Sequence, residues 1–137
     1  ILSIKRICVA FFMDKKDLFI LAKEVMEKSY APYSNYNVGA VLLCKNGNTY
    51  KGCNIENASY SRTNCAERTA LFSAIANGET EFEEIFIVGG KNGKIIDYAM
   101  PCGACRQALA EFCNENFKVY VGISPSQYRA KKICIDK

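Results

Sequence analysis

The stretch Val38-Gly39-Ala40-Val41-Leu42-Leu43-Cys44-Lys45-Asn46-Gly47-Asn48-Thr49-Tyr50-Lys51-Gly52-Cys53-Asn54-Ile55 reads as two strands about one turn. Val38–Cys44 and Thr49–Ile55 have the composition of strands, and Lys45-Asn46-Gly47-Asn48 between them carries Asn-Gly, a dipeptide that tolerates positive φ in a tight hairpin. Upstream, apolar residues at Leu18, Leu21, Ala22, Val25 and Met26 fall on one face of a helix expected over Asp14–Ser29, with Asp14 as cap and Pro32 as stop. Downstream, a second helix is expected over Cys65–Asn77. Ala66, Ala70, Leu71 and Ala74 give it a small-residue face, and Gly78 stands where it should end. A buried strand follows at Glu84–Gly90, with a turn at Lys91-Asn92-Gly93. A third helix over Cys102–Asn116 should turn Leu109, Phe112 and Cys113 inward, and Lys118–Gly122 and Tyr128–Ile135 read as the last strands. This α-β-β-α-β-α-β-β order implies an α/β fold, a mixed five-stranded sheet with helices packed on its faces.

The chain has 137 residues, enough for one domain with a core of its own. Ile1–Phe12 is apolar apart from Ser3, Lys5 and Arg6, too short to span a membrane. No small-residue cleavage site follows it before Asp14-Lys15-Lys16-Asp17. Residues 1–12 read as an extension, with Met13 a candidate natural start and 13–137 the domain. Eighteen basic residues against fourteen acidic ones give a net charge of +4, and the positive residues are scattered rather than gathered in a stripe. Nucleic acid and membrane partners are therefore not indicated. Eight cysteines and no histidine occur. With a sufficient core, the thiols read as reduced and the compartment as cytoplasmic. Any transition-metal site must then rely mainly on thiolates, and any general base must be a carboxylate, Lys, Tyr or Cys.

Two segments carry the chemistry. Pro101-Cys102-Gly103-Ala104-Cys105 is a CxxC opening a helix, which puts both sulfurs on one face of the first turn. Alone it fits redox and structural zinc sites equally. Asn64-Cys65-Ala66-Glu67 places another thiol at a helix start, two residues before a carboxylate. Helices beginning at one point would gather Cys65, Cys102 and Cys105. Three protein ligands and one open position describe a catalytic zinc. Three thiolates weaken the metal as a Lewis acid, which helix N-termini and the guanidinium of Arg68, one turn after Cys65, would offset. Glu67 is then the general acid and base, not a ligand. A structural four-cysteine module recruiting Cys53 or Cys113 is the plainer alternative. Cys44, Cys113 and Cys134 read as small buried hydrophobes. Asn54 and Glu56, two apart at the end of the second strand, would share a face and could grip a hydroxyl. They could equally be a polar strand end.

Cys-x-Glu followed by Pro-Cys-x-x-Cys is the zinc deaminase signature in its three-cysteine form. Together with Tyr30-Ala31-Pro32-Tyr33-Ser34, Asn54-Ile55-Glu56-Asn57-Ala58, Cys65-Ala66-Glu67-Arg68-Thr69-Ala70 and Pro101-Cys102-Gly103-Ala104-Cys105-Arg106-Gln107, it makes the chain resemble the homotetrameric cytidine deaminases from about Asp14 onward. The resemblance implies a three-layer α-β-α sandwich and one Zn²⁺ per chain on Cys65, Cys102 and Cys105. It implies that Glu67 shuttles protons and Arg68 neutralises thiolates. Asn54 and Glu56 would hold the ribose 3′-hydroxyl, the Ala66 N–H the base carbonyl, and Tyr36 the pyrimidine, where the family usually has Phe. Ala58 and Tyr60 would reach a neighbouring subunit's site in a homotetramer. The implied reaction is hydrolytic deamination of cytidine and 2′-deoxycytidine in pyrimidine salvage. Members of the family continue past the last strand with a Leu-Leu-Pro-x-x-Phe segment, so the expected domain lacks that piece at Lys137. Among rivals, polynucleotide deaminases usually carry a His ligand and a basic track, and blasticidin-type deaminases lack the Asn-Ile-Glu-Asn run.

Overall fold

The computed structural model of the chain describes residues 13–59, 62–101 and 103–132. Among the described residues eight elements follow one another: α1 (Lys15–Met26), β1 (Tyr36–Cys44), β2 (Thr49–Cys53), α2 (Ala66–Ala76), β3 (Phe82–Lys91), α3 (Gly103–Phe112), β4 (Lys118–Ser124) and β5 (Gln127–Lys132). The strands form one sheet in the order β2-β1-β3-β4-β5. Every pairing is antiparallel except β3–β4, which is parallel and is joined through α3. The expected mixed five-stranded sheet is therefore present.

Alternation along the strands builds two cores. Ala40, Leu42, Ile85, Ile87, Val119 and Val121 face α2 and α3, whereas Val41, Phe86, Val88 and Tyr120 face α1. Helices on opposite faces make three layers. Two glycines set how close the layers come. A Cβ on Gly39 would lie 2.0 Å from the Ala22 carbonyl of α1, and one on Gly52 would lie 2.4 Å from the Ala66 carbonyl of α2. No helix among the described residues is long and apolar enough to cross a membrane.

Several boundaries differ from expectation for local reasons. α1 ends at Met26 rather than Ser29: the Lys28 and Ser29 N–H groups close tighter turns on Val25 and Met26, and Tyr30 N–H turns away to the Asn54 carbonyl. β2 ends at Cys53 rather than Ile55, because Ile55 leaves the ladder and bridges both Tyr30 and Asn64. α3 ends at Phe112 rather than Asn116, as Asn114 Oδ1 accepts the Asn116 N–H and bends the chain. Phe112, expected inward, is 45% exposed, while Leu109 and Cys113 are buried as expected. In the β1–β2 turn Gly47, not Asn46, takes the positive φ, at 90°. The extension at 1–12, Tyr60, Cys102 and the expected strand end at 133–135 lie outside the described residues.

Candidate active site

Two helices start side by side on one sheet face, and their first turns make the site. Cys65 is the N-cap of α2, with extended backbone at φ −75° and ψ 156°, and its side chain forms no capping bond. Its carbonyl instead accepts from Thr69 N–H and Thr69 Oγ1, at 3.0 and 3.1 Å. Glu67 follows in the first turn and is buried. Cys105 stands in the first turn of α3, also buried. The two sulfurs and a Glu67 carboxylate oxygen all lie within 4.8 Å of one another, a grouping able to hold a metal ion.

The electrostatics follow from that crowding. Burial pushes the Glu67 carboxyl above its ordinary value; the Cys105 thiol, donating to it, pulls partly back, and the charge of Cys65 pushes up again. Arg68 Nη2 donates to Cys65 Sγ at 3.5 Å and to the Thr63 carbonyl at 3.1 Å. The sulfurs, Cys65 first, hold its guanidinium more firmly cationic. Arg68 Nε is buried and has no acceptor among the described residues. Cys102, expected to complete the sulfur set, lies outside them; Gly103 beside it opens α3.

Beside Cys65 and Glu67 is a cavity of about 380 Å³, walled also by Tyr36, Asn54, Glu56 and Ala66 among others. Asn54 is locked in place: its Oδ1 accepts from Val38 N–H at 2.9 Å and its Nδ2 donates to the Tyr36 carbonyl at 2.8 Å. Glu56 accepts from the N–H groups of Tyr33 and Ser34 and from Ser34 Oγ, the last at 2.6 Å. Those bonds, Ser34 Oγ above all, hold its carboxyl below the ordinary range. Asn54 and Glu56 both line the cavity whereas Ile55 between them, 47% exposed, does not, although the strand has already ended. Burial, helped by Asp97, raises the Tyr36 phenol. Ala58 is exposed and does not line this chain's own cavity.

A family model described as the cytidine and deoxycytidylate deaminase zinc-binding region matches residues 13–122. The chain belongs to this family of zinc-binding deaminases. A cytidine deaminase from Sporosarcina psychrophila is 48% identical over 109 residues, spanning 80% of this chain and 77% of that protein. One from Halalkalibacterium halodurans is 47% identical over 110 residues, 80% of each. The crystal structure of cytidine deaminase from Burkholderia pseudomallei superposes with a TM-score of 0.80 at 43% identity, covering 88% of this chain and 94% of that one. The donor chemistry here suits the deaminase family's metal: thiolate sulfur is a preferred zinc ligand, and a part-buried guanidinium beside Cys65 offsets thiolate charge.

Ser34, Val38, Thr63, Ile87, Ala99 and Met100 also line the cavity, and sequence reading gave none of them a role. Ser34 sits in the run Tyr30–Ser34, where its hydroxyl offered the one visible signal. Ala99 and Met100 merely precede Pro101-Cys102 in the sequence, and nothing in their types announces a cavity wall.

Proposed function

We propose that this chain catalyses hydrolytic deamination of cytidine and 2′-deoxycytidine to uridine and 2′-deoxyuridine, releasing ammonia. One observation carries the reading: a buried carboxylate lies within 4.8 Å of two sulfurs, and it and Cys65 line a nucleoside-sized cavity. Cys65, Cys102 and Cys105 hold the metal, and bound zinc supplies the Lewis acidity that activates water at neutral pH. Glu67 accepts a proton from the attacking water, delivers it to N3 of the pyrimidine, and assists protonation of the departing amine. Its burial favours the proton-bearing form that this shuttle passes through. The Ala66 N–H is at the first position of α2, where helical N–H groups lack an internal partner, and it donates to the base carbonyl. Tyr36 packs on the pyrimidine.

The sugar is read by Asn54 and Glu56. Asn54 has spent one Nδ2 hydrogen and one Oδ1 lone pair on β1, which leaves one donor and one acceptor for the 3′-hydroxyl. Glu56 stays ionised, so a nucleoside is preferred over a 5′-phosphate or a polynucleotide. The exposed side chains of Ile20, Phe72 and Phe112 support a homotetramer in which Ala58 and Tyr60 approach a neighbour's site. Cys44 and Cys113 are buried thiols, as suits a cytoplasmic enzyme of pyrimidine salvage.

The test is loss of cytidine ultraviolet absorbance. Parent enzyme should consume cytidine and deoxycytidine but hardly cytidine 5′-monophosphate. Glu67→Gln should keep zinc and fold yet lose several orders of magnitude in turnover. Efficient turnover of the monophosphate or of an oligonucleotide would overturn the substrate, and near-parent rates in Glu67→Gln would overturn the role of Glu67.

A further inference from the structure

The segment from Asn92 to Pro101 crosses the end of β3 without helix or strand. From Ile95 to Met100 the one backbone hydrogen bond among the described residues is local, from Tyr98 N–H to Asp97 Oδ1. Side chains must therefore fix its path. Ile95 packs against the core on the α1 face, and Tyr98 packs against the opposite core. Close packing pins it further, since a Cβ on Gly89 would stand 3.0 Å from Ala99 Cβ. Directly after Tyr98, Ala99 and Met100 form one wall of the cavity, and Asp97 acts on Tyr36 at another.

One contact on this segment comes from a distant part of the chain. Arg129 on β5, opposite Val121 of β4, carries its guanidinium carbon 4.5 Å from the centroid of the Tyr98 ring. That is well within cation–π range. The ring is half-buried and Arg129 is exposed, so the guanidinium covers the side of Tyr98 that the core leaves open.

We infer that Arg129 is a positioning residue: by clamping Tyr98 it holds the Ala99–Met100 wall against the nucleoside. The inference rests on the cytidine reading above. Arg129 touches neither the sulfurs nor Glu67, which are held by α2 and α3. Its loss should weaken substrate binding while leaving the metal and the chemical step in place.

The experiment compares Arg129→Met, Arg129→Lys, Tyr98→Leu, Tyr98→Phe and the Arg129→Met/Tyr98→Leu double variant. Arg129→Met and Tyr98→Leu should each raise KM for cytidine about two- to fivefold, the equilibrium equivalent of an exposed cation–π contact, with kcat and zinc content near parent. Arg129→Lys and Tyr98→Phe keep a cation and a ring and should restore KM. The double variant should be no worse than either single one, because both remove the same contact. Multiplying effects in the double variant, an unchanged KM in Arg129→Met, or no rescue by lysine would overturn the inference. If the parent does not deaminate cytidine, the functional reading falls, and backbone order parameters of residues 95–100 measured by NMR relaxation decide this one. Lower order parameters in Arg129→Met but not in Arg129→Lys uphold the clamp, and equal values in both overturn it.

Discussion

Gly52→Ala tests how tightly the helix bearing Cys65 and Glu67 is seated. The added Cβ would lie 2.4 Å from both the Ala66 carbonyl oxygen and the Ala70 nitrogen, where ordinary contact begins at 3.4 Å. Both obstacles are backbone, so no side chain can swing aside; α2 must move off β2 by about 1 Å, an overpacking that costs about 1–3 kcal/mol. For a domain of this size that is a fall in Tm of about 4–12 °C. The shift falls on the first turn of α2, and a displacement of about 1 Å at reacting groups can cost about a hundredfold in rate. Gly39→Ala is the matched control. Its Cβ meets Ala22 and Met26 of α1 on the other sheet face, so it should lose comparable stability with little change in turnover per folded molecule. Calorimetry, zinc analysis and cytidine turnover on both variants decide the matter. Parent-like Tm and kcat in Gly52→Ala, or equal losses of kcat in both variants, would refute the seating argument.

Cys105→Ala should abolish stoichiometric zinc measured by metal analysis, since no other sulfur among the described residues joins Cys65 and Glu67 there. Ser34→Ala removes the hydroxyl that donates to Glu56 and accepts the Tyr36 N–H; KM for cytidine should rise about fivefold, in line with a charge-assisted bond in a half-wet site, with kcat largely kept. Glu79 accepts from Asn46, Asn48 and Tyr50, and these bonds, Asn48 first, hold its carboxyl below the usual 4.5. A depressed carboxyl stabilises the fold above its unfolded value and stops doing so as pH falls through its folded value. Glu79→Ala should therefore cost about 1 kcal/mol at pH 7, discounted for exposure, and urea titrations should show the gap to parent closing below about pH 4.5.

The sheet was legible because each strand keeps an apolar face, and the Asn-Gly turn fixed the hairpin between β1 and β2. Helix ends were less legible. α1 stops at Met26 because the Asn54 carbonyl captures Tyr30 N–H, a partner distant in sequence that no local pattern reveals. Phe112 reads as core by type, yet α3 is short and leaves it outward. At the site, Cys65, Glu67 and Cys105 were legible from chemistry, since thiols and a carboxylate at helix starts have few other uses. Ser34 was half legible, and Ala99, Met100, Arg129 and Tyr98 were not. Their roles come from a path across β3 set by side-chain packing, and packing of that kind leaves no period in the sequence.

The crowding at Cys65, Glu67 and Cys105 also says what the site needs. Two unit charges less than 5 Å apart repel by about 3–4 kcal/mol at the effective dielectric of a protein interior. Three ionised groups would present three such pairs. The N-termini of α2 and α3 offer about 0.3–1 kcal/mol each, which is too little. Arg68 offsets about one pair through Cys65, and its Nε finds no acceptor among the described residues. Without a further cation the cheapest relief is to keep protons on the sulfurs, since a thiol ordinarily ionises well above a carboxyl, and Cys105 already donates one to Glu67. With a divalent cation the sulfurs would give up those protons and have their charge taken up, leaving Glu67, whose proton affinity burial raises, as the group free to take and pass a proton. A chain without histidine can thus run proton-transfer chemistry at this point, because a carboxyl whose affinity for protons is raised stands where an imidazole otherwise would.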